Sequence, residues 1–240
     1  MKTALITGAS GTIGGALVKK FASEGYFTVG GFYENAQSVR ALEEEFKGTV
    51  FGVRADLKDA ADTEKLFAFA QDNFGHVDAL VLNAGVGLYK LLSETTVNEW
   101  DDLFAVNVRS AFLLIKKCLP EMIKRKSGKI VLVSSMWGKV GASMEAAYSA
   151  SKAALIGLTR ALAKEVAPSG INVNCVCPGV IDGKMNARFN AEEIGELIEK
   201  TPLKRLGTPE DIAELCYFLC SDKADFITGE AISADGGFAL

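Results

Sequence analysis

The chain has 240 residues, 49% of them hydrophobic and 23% charged, which is enough apolar material for one sizeable α/β core and the wrong composition for a disordered segment. A formal net charge of −4 argues against nucleic acid as the main partner, and the longest apolar runs are only strand-sized, too short to cross a membrane.

The first residues, Met1-Lys2-Thr3-Ala4-Leu5-Ile6-Thr7-Gly8, run directly into a strand pattern without a leader-like apolar stretch, so a cytoplasmic location is the expectation. From there, short β-branched runs alternate with longer amphipathic stretches. Seven strands are predicted, at 5–6, 27–29, 50–53, 79–82, 130–133, 171–176 and 231–233. Helices are predicted at 13–24, 36–46, 60–74, 97–124, 147–166 and 209–220, with a shorter one at 191–200. Asn35, Asp59 and Thr208 precede three of these helices as candidate caps, and Pro209 suits a first turn.

Several strands are apolar on both faces, as parallel strands covered by helices must be. The alternation therefore predicts a single-domain α/β Rossmann fold: a doubly wound, seven-stranded parallel sheet with helices on both faces. No linker, repeat or low-complexity tract divides residues 1–240. Residues 179–204 form an insertion after the sixth strand, suited to a substrate lid.

Cys118, Cys175, Cys177, Cys216 and Cys220 include no C-x-x-C pair, and His76 is the only histidine, so buried structural thiols and no metal site are expected. The basic run Lys124-Arg125-Lys126, with Lys129, reads as a solvated helix end, and docking of an acidic partner remains open.

Between the first strand and first helix lies Thr7-Gly8-Ala9-Ser10-Gly11-Thr12-Ile13-Gly14. Glycines there let the backbone approach a pyrophosphate whose charge the helix N-terminus stabilises. In such sites an acidic residue at the second strand's tip binds the ribose 2′-hydroxyl. Here the segment reads Gly30-Gly31-Phe32-Tyr33-Glu34, with Glu34 just beyond the tip. That favours NADP(H) and leaves NAD(H) possible. Arg40 is a distant candidate for a 2′-phosphate.

Tyr148 and Lys152 are four residues apart in a helical stretch and therefore share one face. An ammonium beside a phenol favours the phenolate, which makes tyrosine usable as an acid or base. A surface pair is the plain alternative.

Together these segments resemble the short-chain dehydrogenase/reductase family along the whole chain. Thr7-Gly8 through Gly14 is similar to its cofactor turn, Asp56-Leu57 to its adenine-contacting pair, and Asn83-Ala84-Gly85 to its N-A-G motif. Asn107 matches its relay asparagine, and Ser135, thirteen residues before Tyr148, its carbonyl-binding serine. Tyr148-x-x-x-Lys152 matches its catalytic pair, and Pro178-Gly179 its nicotinamide-side turn.

The resemblance implies hydride transfer from NAD(P)H to a carbonyl held by Ser135 and Tyr148. Tyr148 would donate the proton, Lys152 would hold the ribose, and Asn107 with waters would reload the proton. It also implies cofactor contacts from Gly8, Ser10, Gly11, Thr12, Ile13, Gly14, Asp56, Leu57, Asn83, Ala84, Gly85, Tyr148, Lys152, Pro178, Gly179 and Ile181, and a homotetramer packed through the long helices.

Three positions depart from the family pattern. Thr12 follows Gly11 where the family has its middle glycine, Leu82 replaces the first asparagine of N-N-A-G, and Gly183 stands where a threonine usually binds the carboxamide. Gly11 also occupies a position often basic in NADP enzymes.

The branch is similar to bacterial 3-oxoacyl-(acyl-carrier-protein) reductases in Pro202-Leu203-x-Arg205-Leu206-Gly207 and in the ending Ile227-Thr228-Gly229-Glu230 through Asp235-Gly236-Gly237. Glucose, steroid and polyol dehydrogenases share these phrases. Lys126 suits docking of an acyl carrier protein, whereas the usual second basic position is Ser169. Three readings follow: a reductase of 3-oxoacyl thioesters, an oxidoreductase of another small ketone, sugar or secondary alcohol, and a cofactor-binding regulator without catalysis. A substrate panel separates the first two. Cofactor binding without turnover would mark the third.

Overall fold

Seven strands pair in parallel: β1 (Thr3–Thr7), β2 (Phe27–Phe32), β3 (Val50–Arg54), β4 (Ala79–Leu82), β5 (Gly128–Val133), β6 (Ile171–Pro178) and β7 (Ala231–Ala234). Their order across the sheet is β3-β2-β1-β4-β5-β6-β7 in this computed structural model, which describes residues 1–183, 186 and 189–240. Each strand lies within one or two residues of its predicted position, apart from β2, which runs three residues further than expected.

The alternating pleat divides the core into two layers. Leu5, Leu80, Leu82, Ile130 and Leu132 meet α3 (Ala60–Phe74), α5 (Ser110–Arg125) and α7 (Ala146–Val166) on one face. Ile6, Val81, Val131 and Val133 meet α1 (Thr12–Ser23), α2 (Ala36–Glu45) and α9 (Pro209–Cys220) on the other. Both faces are therefore dry, which explains why β1 and β4 are buried at every residue and carry no polar alternation.

The strand order reverses beside β1. The chain winds outward through β2 and β3, then crosses back to lay β4 on the other side of β1. The connections leaving β1 and β4 diverge there, opening a crevice at the strands' carboxyl ends where ligands of such sheets bind.

The predicted helix over 97–124 is not continuous. It divides into α4 (Val97–Phe104), a π-helical turn over Ala105–Arg109, and α5. A side chain that hydrogen-bonds outside the helix can stabilise such a bulge, and Asn107 at its centre does this. Hydrophobic periodicity carries no trace of it. A short helix, α6 (Trp137–Val140), was also not expected from the pattern.

Asp59 caps α3, accepting from the Ala61 amide at 2.8 Å. Thr208 caps α9 in a reciprocal box with Asp211. Asn35 does not cap α2: its backbone is left-handed (φ 52°) and its side chain makes no cap bond. Asparagine tolerates that conformation better than most residues, and here it serves the turn. The caps of α4 and of α8 (Ala191–Lys200) are Thr96 and Asn190, each in a capping box.

Within the insertion expected at 179–204, α8 forms where predicted, while Lys184, Met185, Ala187 and Arg188 lie outside the described residues. All five cysteines are free and buried. In the basic run, Arg125 pairs with Asp78 at 2.8 Å and Lys129 pairs with Asp225, leaving Lys126 exposed at the left-handed end of α5. Among the described residues, no helix is long and apolar enough to cross a membrane, and no group of three or more His, Cys, Asp or Glu side chains could hold a metal ion.

Because α9 packs along α1, the helix that opens the crevice, its cap supports the site from behind. Thr208→Ala is expected to cost about 1 kcal/mol in urea unfolding, the usual worth of an N-cap hydroxyl. An unchanged midpoint would mean that the capping box contributes nothing.

Candidate active site

The glycine turn packs against itself. A Cβ on Gly14 would lie 1.9 Å from the Gly8 carbonyl oxygen, so α1 can begin this close to β1 only with glycine at that position. Gly8 has φ +74°, and a Cβ there would meet the Asn83 amide nitrogen at 2.9 Å. Gly11, at the N-cap of α1, supplies no side-chain cap to the first amides of the helix. The turn thus offers a close backbone approach and a positive helix end to an anion.

The next strand binds this turn. The Thr7 hydroxyl accepts from the Asn83 and Ala84 amides at 3.0 and 2.9 Å, and the Asn83 side chain donates to the Thr7 carbonyl at 3.0 Å. These bonds join the ends of β1 and β4 across the reversal point. Leu82 in place of the family's first asparagine leaves them intact, because Asn83 makes them.

Asn107 holds the chain one step further on. Its side-chain oxygen accepts from the Val86 amide at 2.8 Å, and its nitrogen donates to the Val86 carbonyl and to the Ser151 hydroxyl, both at 3.0 Å. Ser151 in turn donates to the Tyr148 carbonyl at 2.7 Å. The π-helical turn, the segment after β4 and the start of α7 are thereby joined through one buried amide.

Tyr148 and Lys152 project from one face of α7, with the Lys152 ammonium 5.6 Å from the centre of the phenol ring. Lys152 is only 3% exposed, and it donates to the Val133 carbonyl at the end of β5 at 2.9 Å. Burial lowers its pKa to about 8. Ser134 fixes the helix in place, donating from its hydroxyl to the Lys152 carbonyl at 2.7 Å. Ser135, the next residue, is 7% exposed and lines the same crevice as Tyr148.

Every predicted site residue except Asn107 lines one crevice of about 720 Å³. It runs from Asp56, Leu57 and Lys58 at one end, past Gly8 to Gly14, to Asn83, Ala84, Gly85, Ser135, Tyr148, Lys152, Pro178, Gly179 and Ile181. Asn107 sits behind the wall, next to the lining residue Val106. Glu34 lines the crevice, whereas Arg40 is exposed on α2 and does not. A cavity lined by both the glycine turn and a buried lysine fits a dinucleotide.

Sequence reasoning missed the anchors Ser134 and Ser151, whose partners are backbone and side-chain groups far away in the chain. It also missed Arg54. This residue ends β3, donates to the Tyr33 carbonyl at 3.1 Å and lies over the Tyr33 ring at 5.2 Å. The β2–β3 register, which pairs Arg54 with Phe32, puts it beside the tip of β2, and no local sequence signal marks that.

Residues 8–239 match a family model of the short-chain alcohol dehydrogenase type described as enoyl-(acyl carrier protein) reductase. The 3-oxoacyl-[acyl-carrier-protein] reductase FabG of Staphylococcus aureus is 38% identical over 242 residues, covering 100% of this chain and 98% of that protein. An uncharacterized oxidoreductase of Bacillus subtilis, YmfI, is 38% identical over 239 residues, covering 99% and 98%. A crystal structure from Agrobacterium tumefaciens, provisionally described as a gluconate dehydrogenase, superposes with a TM-score of 0.93 at 30% identity, covering 99% of this chain and 96% of that one. A doubly wound dinucleotide fold with this crevice defines an NAD(P)-dependent class of protein. The chain belongs to the short-chain dehydrogenase/reductase family.

The buried lysine has a thermodynamic signature. Its folded-state pKa of about 8 lies below the ordinary 10.5, so between these values the unfolded chain holds a proton that the folded chain has released. Stability contributed by this group therefore rises with pH across that window, and the burial penalty is fully present below pH 8. Relative to wild type, Lys152→Met should lose up to about 3 kcal/mol of stability between pH 8 and 10.5. Urea midpoints of the two proteins measure this, and a difference that does not change with pH would contradict it.

Proposed function

We propose that this enzyme reduces 3-oxoacyl thioesters to 3-hydroxyacyl products, with Tyr148 as general acid. The observation that carries the reading is the convergence of Ser135, Tyr148 and Lys152 on one crevice beside the glycine turn, with Asn107 bracing it from behind.

The nicotinamide cofactor supplies the hydride. Ser135 holds the carbonyl oxygen, and Tyr148 gives its proton to the alkoxide as charge develops there. Lys152 binds the ribose and stabilises the phenolate left behind. Its lowered pKa suits a group that passes protons near neutral pH. Asn107 steadies the π-helical turn along which waters return a proton to the pair. Gly8, Ser10, Gly11, Thr12, Ile13 and Gly14 would hold the pyrophosphate. Asp56 and Leu57 would contact the adenine, and Asn83, Ala84, Gly85, Pro178, Gly179 and Ile181 would contact the ribose and nicotinamide.

NADP(H) is the favoured cofactor, with NAD(H) as the alternative. Two observations support this: the last residue of β2 is Phe32, not a carboxylate, and Arg54 puts a cation on Tyr33 at that end of the crevice. Glu34, which lines the same end, favours NAD(H).

Full-length similarity to a 3-oxoacyl-[acyl-carrier-protein] reductase supports the thioester substrate. Lys126, exposed at the end of α5, is the cation offered to an acyl carrier protein. The alternative, a sugar or other secondary alcohol, draws on the likeness to the gluconate dehydrogenase structure and on Ser169 at the second docking position. A homotetramer packed through α4–α5 and α7 accords with the exposed Phe112 on α5, and a cytoplasmic location completes the reading.

Tyr148→Phe should lower turnover by about 10³-fold or more while leaving cofactor affinity within a few-fold, because the phenol acts mainly in the chemical step. Wild type should oxidise NADPH with acetoacetyl thioesters faster than with sugars, polyols or simple ketones. Wild-type rates in Tyr148→Phe would refute the proton donor. A preference for sugars or polyols would refute the substrate.

A further inference from the structure

Two departures from the family pattern meet in space. Thr12 is the first residue of α1, and Gly183 lies beyond β6, yet both line the crevice. A Cβ built on Gly183 would lie 2.7 Å from the Thr12 hydroxyl oxygen, 2.9 Å from its Cβ and 3.0 Å from its Cγ2. All three contacts are side-chain atoms of one residue. One of them is the branched Cβ itself, which rotation about χ1 cannot move. The space between the helix start and the segment after β6 therefore admits a side chain from one of these positions only. Position 12 holds it.

We infer that Thr12 and Gly183 form a single packing unit that seats the segment after β6 on the cofactor turn, with Thr12 as a positioning residue for cofactor binding. Their separation in sequence hides a steric exchange: the bulk added at one position is removed at the other. The flanking backbone holds the seat in register. Ile181 bridges in parallel to Gly207, the Asp182 amide donates to the Gly207 carbonyl at 2.8 Å, and Asn186 donates to the Ile181 carbonyl at 2.6 Å. With Gly183 held in this way, a new side chain there must displace either Thr12, and with it the start of α1, or the segment carrying Ile181.

The inference rests on the crevice being the dinucleotide site, and a double-mutant cycle tests the two separately. Dissociation constants for NADPH and NADH are measured by protein fluorescence for wild type, Gly183→Ala, Thr12→Gly and the double variant, with thermal melting of each. Wild type binding neither cofactor would refute both the site and the inference. Gly183 has φ +158°, so alanine there also carries a backbone cost. That cost is common to both backgrounds and cancels in the cycle.

The expected result is that Gly183→Ala weakens cofactor binding by about tenfold when Thr12 is present, the scale of overpacking in a tight site. In the Thr12→Gly background the same change should cost no more than about threefold relative to Thr12→Gly alone. Equal losses in the two backgrounds would overturn the inference, as would Gly183→Ala binding like wild type. If Gly183→Ala melts too low to titrate, the melting temperatures decide in the same way: recovery in the double variant supports the unit, and no recovery overturns it.

Discussion

A cation buried beside a phenol is the constraint on which the site is built. Among the described residues no carboxylate pairs with Lys152. Its ammonium donates to the Val133 carbonyl, and the residue is 3% exposed. An ammonium in such a place is costly unless the surrounding structure enforces it. The enforcement is visible in Ser134, which binds the Lys152 carbonyl from the end of β5, and in Ser151, which links the same turn of α7 to Asn107. Two elements, the end of β5 and the π-helical turn, hold α7 where its lysine is buried. Stability is lost there so that a charge stands next to Tyr148 before any ligand arrives, the kind of preorganised electrostatics on which proton-transfer sites depend.

The sheet topology brings the other half of the crevice to that cation. Reversal of strand order between β1 and β4 separates two connections, and the Thr7–Asn83 bonds keep the two strand ends in fixed relation. The glycine turn can then sit against β1 because Gly14 rests on the Gly8 carbonyl. Tyr33, Asp56 and Tyr148 line one cavity with the glycine turn. Thr12 and Gly183 meet along the same lining.

Much of this was legible in the sequence, for identifiable reasons. Strands dry on both faces have few polar residues, so β4 could be read to the residue, and α3 and α9 matched the amphipathic pattern because Asp59 and Thr208 begin them with local capping chemistry. The Tyr148–Lys152 pair is local as well, since helix geometry alone puts the two side chains on one face. What was not legible depends on contacts between distant segments. The break at 105–109 exists because Asn107 bonds Val86, twenty-one residues earlier. Ser134 and Ser151 are ordinary serines until their partners are known, and Arg54 is an ordinary strand end until register puts it beside Tyr33. Asn35 failed as a cap for a different reason: its side chain suits both a cap and a left-handed turn, and composition does not distinguish them. Thr12 and Gly183 were each read as a separate anomaly, since only folding makes them neighbours.

The central claim is that Tyr148 and Lys152 act as one unit. A kinetic double-mutant cycle with Tyr148→Phe, Lys152→Met and the double variant, run at saturating cofactor on one carbonyl substrate, tests it most directly. Groups that act as a unit are strongly non-additive, so the double variant should be about as slow as the slower single variant. Rate losses that simply multiply would show that the two side chains act independently, and would contradict the account.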